Sequence, residues 1–350
     1  MQQAFRRQTR SFVTQSIEKR QRRRTIVAST AMTAAVAWIT LDSLQTRRER
    51  RQLLQELEPV TWEQHFPNRT WQDLLETIQR CGLMGGTRSV KQDLDHIREW
   101  HHAHGYKGGV VLRDLTQPVG WGEDEEWSLQ EIVEDPTRLN RRECYYMYYE
   151  LSGTGRVKQE IFCRGTTIWA DLLTCLEAWM VYDEELDCRV HRGFRNQADR
   201  ILRDLEPLLA NRDDRRATIN VCGHSLGAAV AFILAAKLRQ RGYRVSQLTA
   251  IGLPRFCASP SDAAHIETLL PVDTVRVAHE FDFVSFLPPF GSFSGKKLWI
   301  VDDEPRLLSF DTDWWSDKVW FNFLAWEILS ANGVPHRIPT YLNALRAKKP

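Results

Sequence analysis

Ile219-Asn220-Val221-Cys222-Gly223-His224-Ser225-Leu226-Gly227-Ala228-Ala229-Val230 runs from a β-branched apolar stretch, through a Gly-His-Ser-Leu-Gly turn, into an alanine-rich helical pattern. Strand, sharp turn and helix in that order set a serine on a strained corner with its hydroxyl exposed, the arrangement of a nucleophile elbow. The glycines have a steric reason. A corner this tight crowds the positions on either side of the serine, and only residues without a Cβ avoid the neighbouring strand and helix. The helix that opens there also aims backbone N–H groups at whatever the serine attacks, which suits an oxyanion. Gly-x-Ser-x-Gly alone occurs by chance in roughly a tenth of chains this long. Its weight comes from the flanking periodicities and from whether the chain supplies a base and an acid.

Outward from the corner, strands and helices alternate. Tyr145–Leu151 and Val157–Cys163 read as strands joined by the Ser152-Gly153-Thr154-Gly155 turn, the second ending at Arg164-Gly165-Thr166-Thr167. Thr218–Cys222, Gln247–Gly252, Val275–His279 and Leu298–Val301 read as further strands, and Ala198–Leu209, Leu226–Arg239 and Phe321–Leu329 as helices. This pattern predicts an α/β fold, a mostly parallel central sheet with helices on both faces. Reactive groups in such sheets gather at the carboxyl ends of strands, where Ser225, Arg164-Gly165-Thr166 and Asp282 fall.

A serine hydroxyl is an effective nucleophile only when a base takes its proton and a carboxylate orients that base. Behind an elbow of this kind the chain order is serine, acid, histidine. Asp282 follows the apolar strand Val275-Arg276-Val277-Ala278 and opens a loop at Phe283-Val284-Ser285-Phe286-Leu287-Pro288-Pro289, which makes it the preferred acid. The competing acids Asp302, Asp303, Asp311, Asp313 and Asp317 lie in acidic or turn-like stretches that read as solvated. Asp262 stands at a predicted helix start, where capping is the ordinary task. After Asp282 the one remaining histidine is His336, in the loop Asn332-Gly333-Val334-Pro335-His336. His224 points away from the serine beside it, and His191 and His279, which precede the acid, are read as packing or supporting groups.

At these residues the sequence resembles the fungal lipase-type, or class 3, lipase family, whose members are α/β-hydrolases acting on acylglycerols and related lipids. The likeness runs from about Tyr145 to Leu345. Phe162-Cys163-Arg164-Gly165-Thr166 is similar to the family's Phe-Arg-Gly-Thr/Ser element with Cys163 interposed. Trp169-Ala170-Asp171-Leu172 is similar to its Trp-x-x-Asp-Leu stretch, and His191-Arg192-Gly193-Phe194 to its His-x-Gly-Phe. Gly223–Ala229 matches the elbow, Gly252-Leu253-Pro254-Arg255 resembles Gly-x-Pro-Arg, and Asp282-Phe283-Val284 with Leu287-Pro288-Pro289 resembles the segment of the acid. His336 followed by Tyr341 is similar to the terminal histidine and tyrosine. The chain departs from the pattern at Cys257, where a glycine is usual, and in its long basic beginning.

The resemblance implies acyl transfer, with Ser225 as nucleophile, His336 as base and then acid, and Asp282 orienting it. The oxyanion would be held by the N–H of Leu226 and by the N–H and hydroxyl of Thr166. This chemistry calls for no metal and no organic cofactor. Thr167–Arg189 places Ile168, Trp169, Leu172, Leu173, Leu176, Trp179 and Met180 at helical spacing. It reads as a core helix or, as the resemblance implies, as a lid over a lipid-binding groove, with Ile168, Trp169 and Leu172 as candidate substrate or lid contacts.

Residues 1–50 are read as a basic targeting or membrane-anchoring segment, 51–140 as a helical N-terminal extension and 141–350 as the catalytic domain. Arg6, Arg7, Arg10, Lys19, Arg20, Arg22, Arg23 and Arg24 face one acid, Glu18, which suits an organellar leader. Thr25–Leu41 carries no charge. As a helix it would reach roughly 26 Å, short of a ~30 Å hydrocarbon core. A membrane anchor or interfacial helix and a mitochondrial or plastid leader are therefore both expected readings. In the extension, Leu53, Leu54 and Leu57, and Trp71–Ile78, repeat at helical spacing, and Cys81–Gly86 breaks the pattern. His101, His102 and His104 read as a solvated cluster rather than metal ligands.

Hydrophobic residues at 43% and charged residues at 26% are ordinary for a globular chain, and a net charge of +2 argues against a nucleic-acid partner. Seven scattered cysteines lack metal-ligand spacing and form no evident disulfide framework, which favours an intracellular setting. The expected function is hydrolysis of lipid acyl esters by a serine carboxylic-ester hydrolase of the acylglycerol lipase kind, with a membrane or lipid-droplet surface as partner. A phospholipase or galactolipase of the A1 type and a lipid acyltransferase would use the same triad. A non-catalytic membrane scaffold is disfavoured by the intact set of site residues.

Overall fold

The tyrosines of Cys144–Leu151 (β2) show how one strand serves two cores. Tyr145 and Met147 belong to a buried cluster on one side of the sheet, and Cys144, Tyr146 and Tyr148 to a cluster on the other. Successive strand side chains point to opposite faces, so a strand covered on both sides needs apolar groups at every position. The computed structural model describes residues 61–84, 90–115, 144–165, 180–279, 282–286, 291–292, 296–301, 304–308 and 336–347. They fall within one unit, Pro59–Asp317 with Leu329–Pro350.

The sheet has eight strands among the described residues: Gly109–Asp114 (β1), β2, Val157–Cys163 (β3), Ala217–His224 (β6), Val245–Ile251 (β7), Asp273–His279 (β8), Lys296–Val301 (β9) and Glu304–Leu308 (β10), in that spatial order. Strands β3, β6, β7, β8 and β9 are parallel, and β1, β2 and β10 add antiparallel edges. Met180–Asp183 (β4) and Cys188–His191 (β5) form a separate antiparallel ribbon. The expected mostly parallel α/β sheet is thus present, and β6, which feeds the elbow, lies between parallel neighbours on both sides.

Arg192–Leu205 (α4) and Leu226–Gln240 (α5) cover one face. Every residue from Leu226 to Leu238 in α5 is buried, as expected of a helix that is apolar all round. Phe194, Ala198, Ile201, Leu202 and Leu205 of α4 line the stripe packed in the same cluster; each large side chain buried this way contributes about 1.5–3 kcal/mol. Lys237 is the buried cation of α5, and it is bound by Asp183 and Asp199, both at 2.6 Å, which ties the β4–β5 ribbon to the helix. Burial by itself would depress the Lys237 pKa; these bonds raise it instead.

Trp62–His65 (α1), Trp71–Cys81 (α2) and Val90–Ala103 (α3) lie on the other side with Ile338–Ala347 (α7), around Trp62, Leu74, Ile78 and Leu345. Thr70 caps α2 in a reciprocal box with Asp73, a start the sequence periodicity at Trp71 anticipates. Inside this core Arg80 pairs with Glu160 at 2.6 Å and lies over the Tyr106, Tyr148 and Phe162 rings.

Three expectations are revised, and one strand is added. Within the segment read as a helical extension, Gly109–Asp114 is a strand; its short apolar run is ambiguous by period, and pairing with β2 decides it. Pairing with β9 likewise makes Glu304–Leu308 a strand that its sequence does not announce. Met180 begins a strand, because Asp187 turns the chain at φ 51° and Asp183 accepts the Leu186 N–H at 3.0 Å, closing a hairpin instead of continuing a helix. His101 is buried, not solvated, although His102 and His104 are exposed. Its Nδ1–H donates to the Ile97 carbonyl at 2.8 Å and its Nε2 accepts from Arg80 at 3.1 Å.

Burial, with the nearby Arg80 charge, pushes the His101 pKa down to about 4. A proton that enters the unfolded chain near pH 6.5 is thus refused by the native one, so stability is lost as the pH falls from 6.5 toward 4. The share of His101 is about 2 kcal/mol by pH 5. Urea unfolding at pH 7 and pH 5 should show that much less acid loss in His101→Gln, which keeps a donor and an acceptor. An equal loss in both proteins would exclude a neutral buried His101.

Among the described residues no helix is long and apolar enough to cross a membrane. Residues 1–50 and the expected helix Phe321–Leu329 lie outside them. Cys81, Cys144, Cys163, Cys188, Cys222 and Cys257 are free and buried.

Candidate active site

Ser225 joins β6 to α5 at φ 59° and ψ −132°, and it is one of two described non-glycine residues with positive φ. Such a conformation costs on the order of 1–3 kcal/mol and persists only where the surroundings enforce it. They do so here by close approach. A Cβ on Gly223 would lie 2.0 Å from the Gly227 carbonyl oxygen, and one on Gly227 would lie 2.4 Å from the carbonyl oxygen of Cys163. The end of β3, the end of β6 and the first turn of α5 therefore meet at spacings that only glycine permits. Elbow geometry alone suggests an exposed serine, yet Ser225 is 2% exposed. The turn after β3 lies over it, so that a Cβ on Gly165 would sit 3.0 Å from the Ser225 Cβ.

Asp282 follows β8 and is fully buried. Its Oδ1 accepts the Val284 N–H at 3.0 Å, and its Oδ2 faces His336 Nδ1 at 2.7 Å and accepts the Tyr341 hydroxyl. Burial would raise the Asp282 pKa, but the His336 ring and the hydroxyl donor outweigh it and hold the carboxyl below its usual range. The Tyr341 phenol is pushed far up, first by burial and then by the Asp282 charge, so it stays a donor. Gly252, at φ +57° after β7, leaves room for this pair: a Cβ there would be 2.8 Å from Asp282 Oδ2 and 2.9 Å from His336 Cε1.

The carboxyl ends of β6, β7 and β8 thus bring together the elbow, the glycine that makes space, and the acid, while α7 carries the tyrosine. With Nδ1 committed to Asp282, Nε2 is the imidazole nitrogen left for proton transfer. Leu226 opens α5, where its N–H belongs to the first turn. The other expected oxyanion donor, Thr166, lies outside the described residues, as do Ile168, Trp169 and Leu172 and the competing acids Asp302, Asp303, Asp311, Asp313 and Asp317. Asp262 is in the first turn of Pro260–Thr268 (α6), capped by Ser259, and accepts the Arg189 N–H at 2.9 Å. His191 stacks on Phe194 and His279 meets the edge of Tyr341. No group of three or more His, Cys, Asp or Glu among the described residues is placed to hold a metal ion.

Two contacts at this site escape the sequence reading. The Val284 N–H on Asp282 has no signal beyond loop spacing. His224, adjacent to the serine, places Nε2 2.6 Å from the His336 carbonyl oxygen and its ring 4.6 Å from that of His336.

A mostly parallel sheet flanked by helices, with a strained serine where a central strand meets its helix, defines an α/β-hydrolase fold. Residues 161–292 match the model of the class 3 lipase family. A lipase of Rhizopus niveus is 32% identical over 122 residues, which are 32% of this chain and 30% of that one. A lipase of Rhizomucor miehei is 31% identical over 128 residues, 34% of each chain. These alignments span about a third of the length of the curated relatives. The solved structure of Rhizomucor miehei triacylglyceride lipase superposes with a TM-score of 0.52 at 18% identity, covering 73% of this chain and 94% of that one, a likeness of fold.

Proposed function

We propose that this protein is a serine carboxylic-ester hydrolase that cleaves acyl esters of lipids through Ser225, His336 and Asp282. The observation that carries the reading is the buried Asp282 carboxylate bound to His336 Nδ1, at the end of the sheet where Ser225 is strained into an elbow. The match of residues 161–292 to the class 3 lipase family supports the lipid ester as substrate class.

In the proposed cycle His336 Nε2 takes the Ser225 proton as Oγ attacks the ester carbonyl. The imidazolium is stabilised by Asp282, which stays ionised. The tetrahedral oxyanion is held by the Leu226 N–H, with the N–H and hydroxyl of Thr166 as second partner; each such donor is worth about 3–4 kcal/mol in the transition state. Collapse passes the proton from His336 to the departing alcohol. Water then enters by the same route in reverse, and the acid product leaves. The segment 1–50 is proposed to bring this chemistry to a membrane or lipid-droplet surface, with 141–350 as the catalytic domain.

The test is hydrolysis of a panel of tri-, di- and monoacylglycerols, phospholipids and galactolipids by the full chain and by a chain lacking residues 1–50, with a competing alcohol added. Release of free fatty acid from at least one class is expected. Acyl esters of the added alcohol as main product would assign an acyltransferase. Absence of turnover together with failure of Ser225 to label with a fluorophosphonate would remove the enzyme reading.

A further inference from the structure

His224 is the last residue of strand β6, immediately before the nucleophile, and its side chain bonds to the main chain of the proposed base. Its Nε2 meets the backbone carbonyl of His336 at 2.6 Å; the acceptor is a carbonyl, so Nε2 carries the hydrogen and donates. The two rings lie 4.6 Å apart at 32°. We propose that His224 is a positioning residue for the base, tying the main chain of His336 to the strand that carries Ser225. This rests on the reading of Ser225, Asp282 and His336 as a triad.

The reason is mechanical first. Asp282 fixes one ring nitrogen of His336, but a side chain held only at its tip can still swing with its backbone. The bond from His224 fixes the backbone end, and its donor sits on the residue before the nucleophile. A shift of the elbow therefore carries the base with it. Misplacement of about 1 Å in such a pair costs roughly 100-fold in rate.

The second reason is electrostatic. His336 gains a positive charge during the proposed reaction, and a second charged imidazole at this spacing would oppose it. Burial, and then the His336 ring, push the His224 pKa down to about 3, with Asp282 and the carbonyl bond acting the other way. His224 therefore stays neutral across the working range while keeping its donor.

The experiment compares His224→Gln, whose amide reaches about as far as Nε2 and keeps a donor, with His224→Leu, which keeps bulk and loses it. On a soluble ester, His224→Leu is expected to lose about 30- to 100-fold in kcat with KM within about twofold, and His224→Gln to stay within about fivefold of wild type. The low-field proton resonance of the His336–Asp282 bond is expected to persist in His224→Gln and broaden in His224→Leu. Wild-type kcat in His224→Leu, or equal losses in both variants, would overturn the proposal, since the donor would then be irrelevant. If wild type hydrolyses nothing, the triad reading fails, and the resonance still decides: persistence in His224→Leu overturns the tether, and broadening there alone supports it.

Discussion

Ser225→Ala is expected to lower kcat on any accepted ester by about 10⁵-fold or more, because the acyl-enzyme cannot form and only binding and oxyanion stabilisation remain. The substitution keeps a Cβ at φ 59° and removes one buried oxygen, so the elbow should fold unchanged. Thermal unfolding is therefore expected to stay near wild type while turnover and fluorophosphonate labelling vanish together. More than about 1% residual turnover in a folded Ser225→Ala protein would mean that another group performs the attack.

The next largest effect is expected at Asp282→Asn, a loss of about 10⁴-fold in kcat with little change in KM. Asp282 Oδ2 receives both the Tyr341 hydroxyl and His336 Nδ1, and Oδ1 receives the Val284 N–H. An amide has one acceptor oxygen for these three donors. If that oxygen serves Val284, the NH₂ group faces two hydrogens; if it turns toward His336, the NH₂ group meets the Val284 N–H. The first orientation makes Nδ1 an acceptor, the wrong tautomer, and the second keeps the tautomer only by setting two donors against each other at Val284; in both the imidazolium loses its counter-charge. Tyr341→Phe removes one donor and leaves the carboxylate, so its loss should be far smaller. Pre-steady-state kinetics on both variants check this order, and equal losses would show that the carboxylate's charge is not what matters.

Much of the site is legible from the chain because the elbow imposes local rules. Gly223 and Gly227 are demanded because a Cβ there would lie 2.0 and 2.4 Å from backbone oxygens, so the spacing of glycines about Ser225 is itself a record of the packing. The strands flanking it announce themselves by continuous apolar runs, a consequence of being covered on both faces. Asp282 and His336 could be chosen by chain order and by elimination. Short segments were less legible: Gly109–Asp114 becomes a strand by pairing with Cys144–Leu151, and Glu304–Leu308 by pairing with the adjacent Lys296–Val301, and no local period distinguishes them.

The sequence by itself determined the fold class and singled out Ser225, Asp282 and His336 as candidates in that order, since each choice rests on local periodicity, on steric rules within a few residues or on chain order. Only the tertiary structure decided which groups surround them. It sets the Tyr341 hydroxyl on Asp282, the space vacated by Gly252, the Lys237 anchor to the β4–β5 ribbon and the tie from His224 to the His336 main chain. These are contacts between residues up to 112 apart in the chain. Their free energy comes from burial and hydrogen-bond direction, which have no trace in residue spacing.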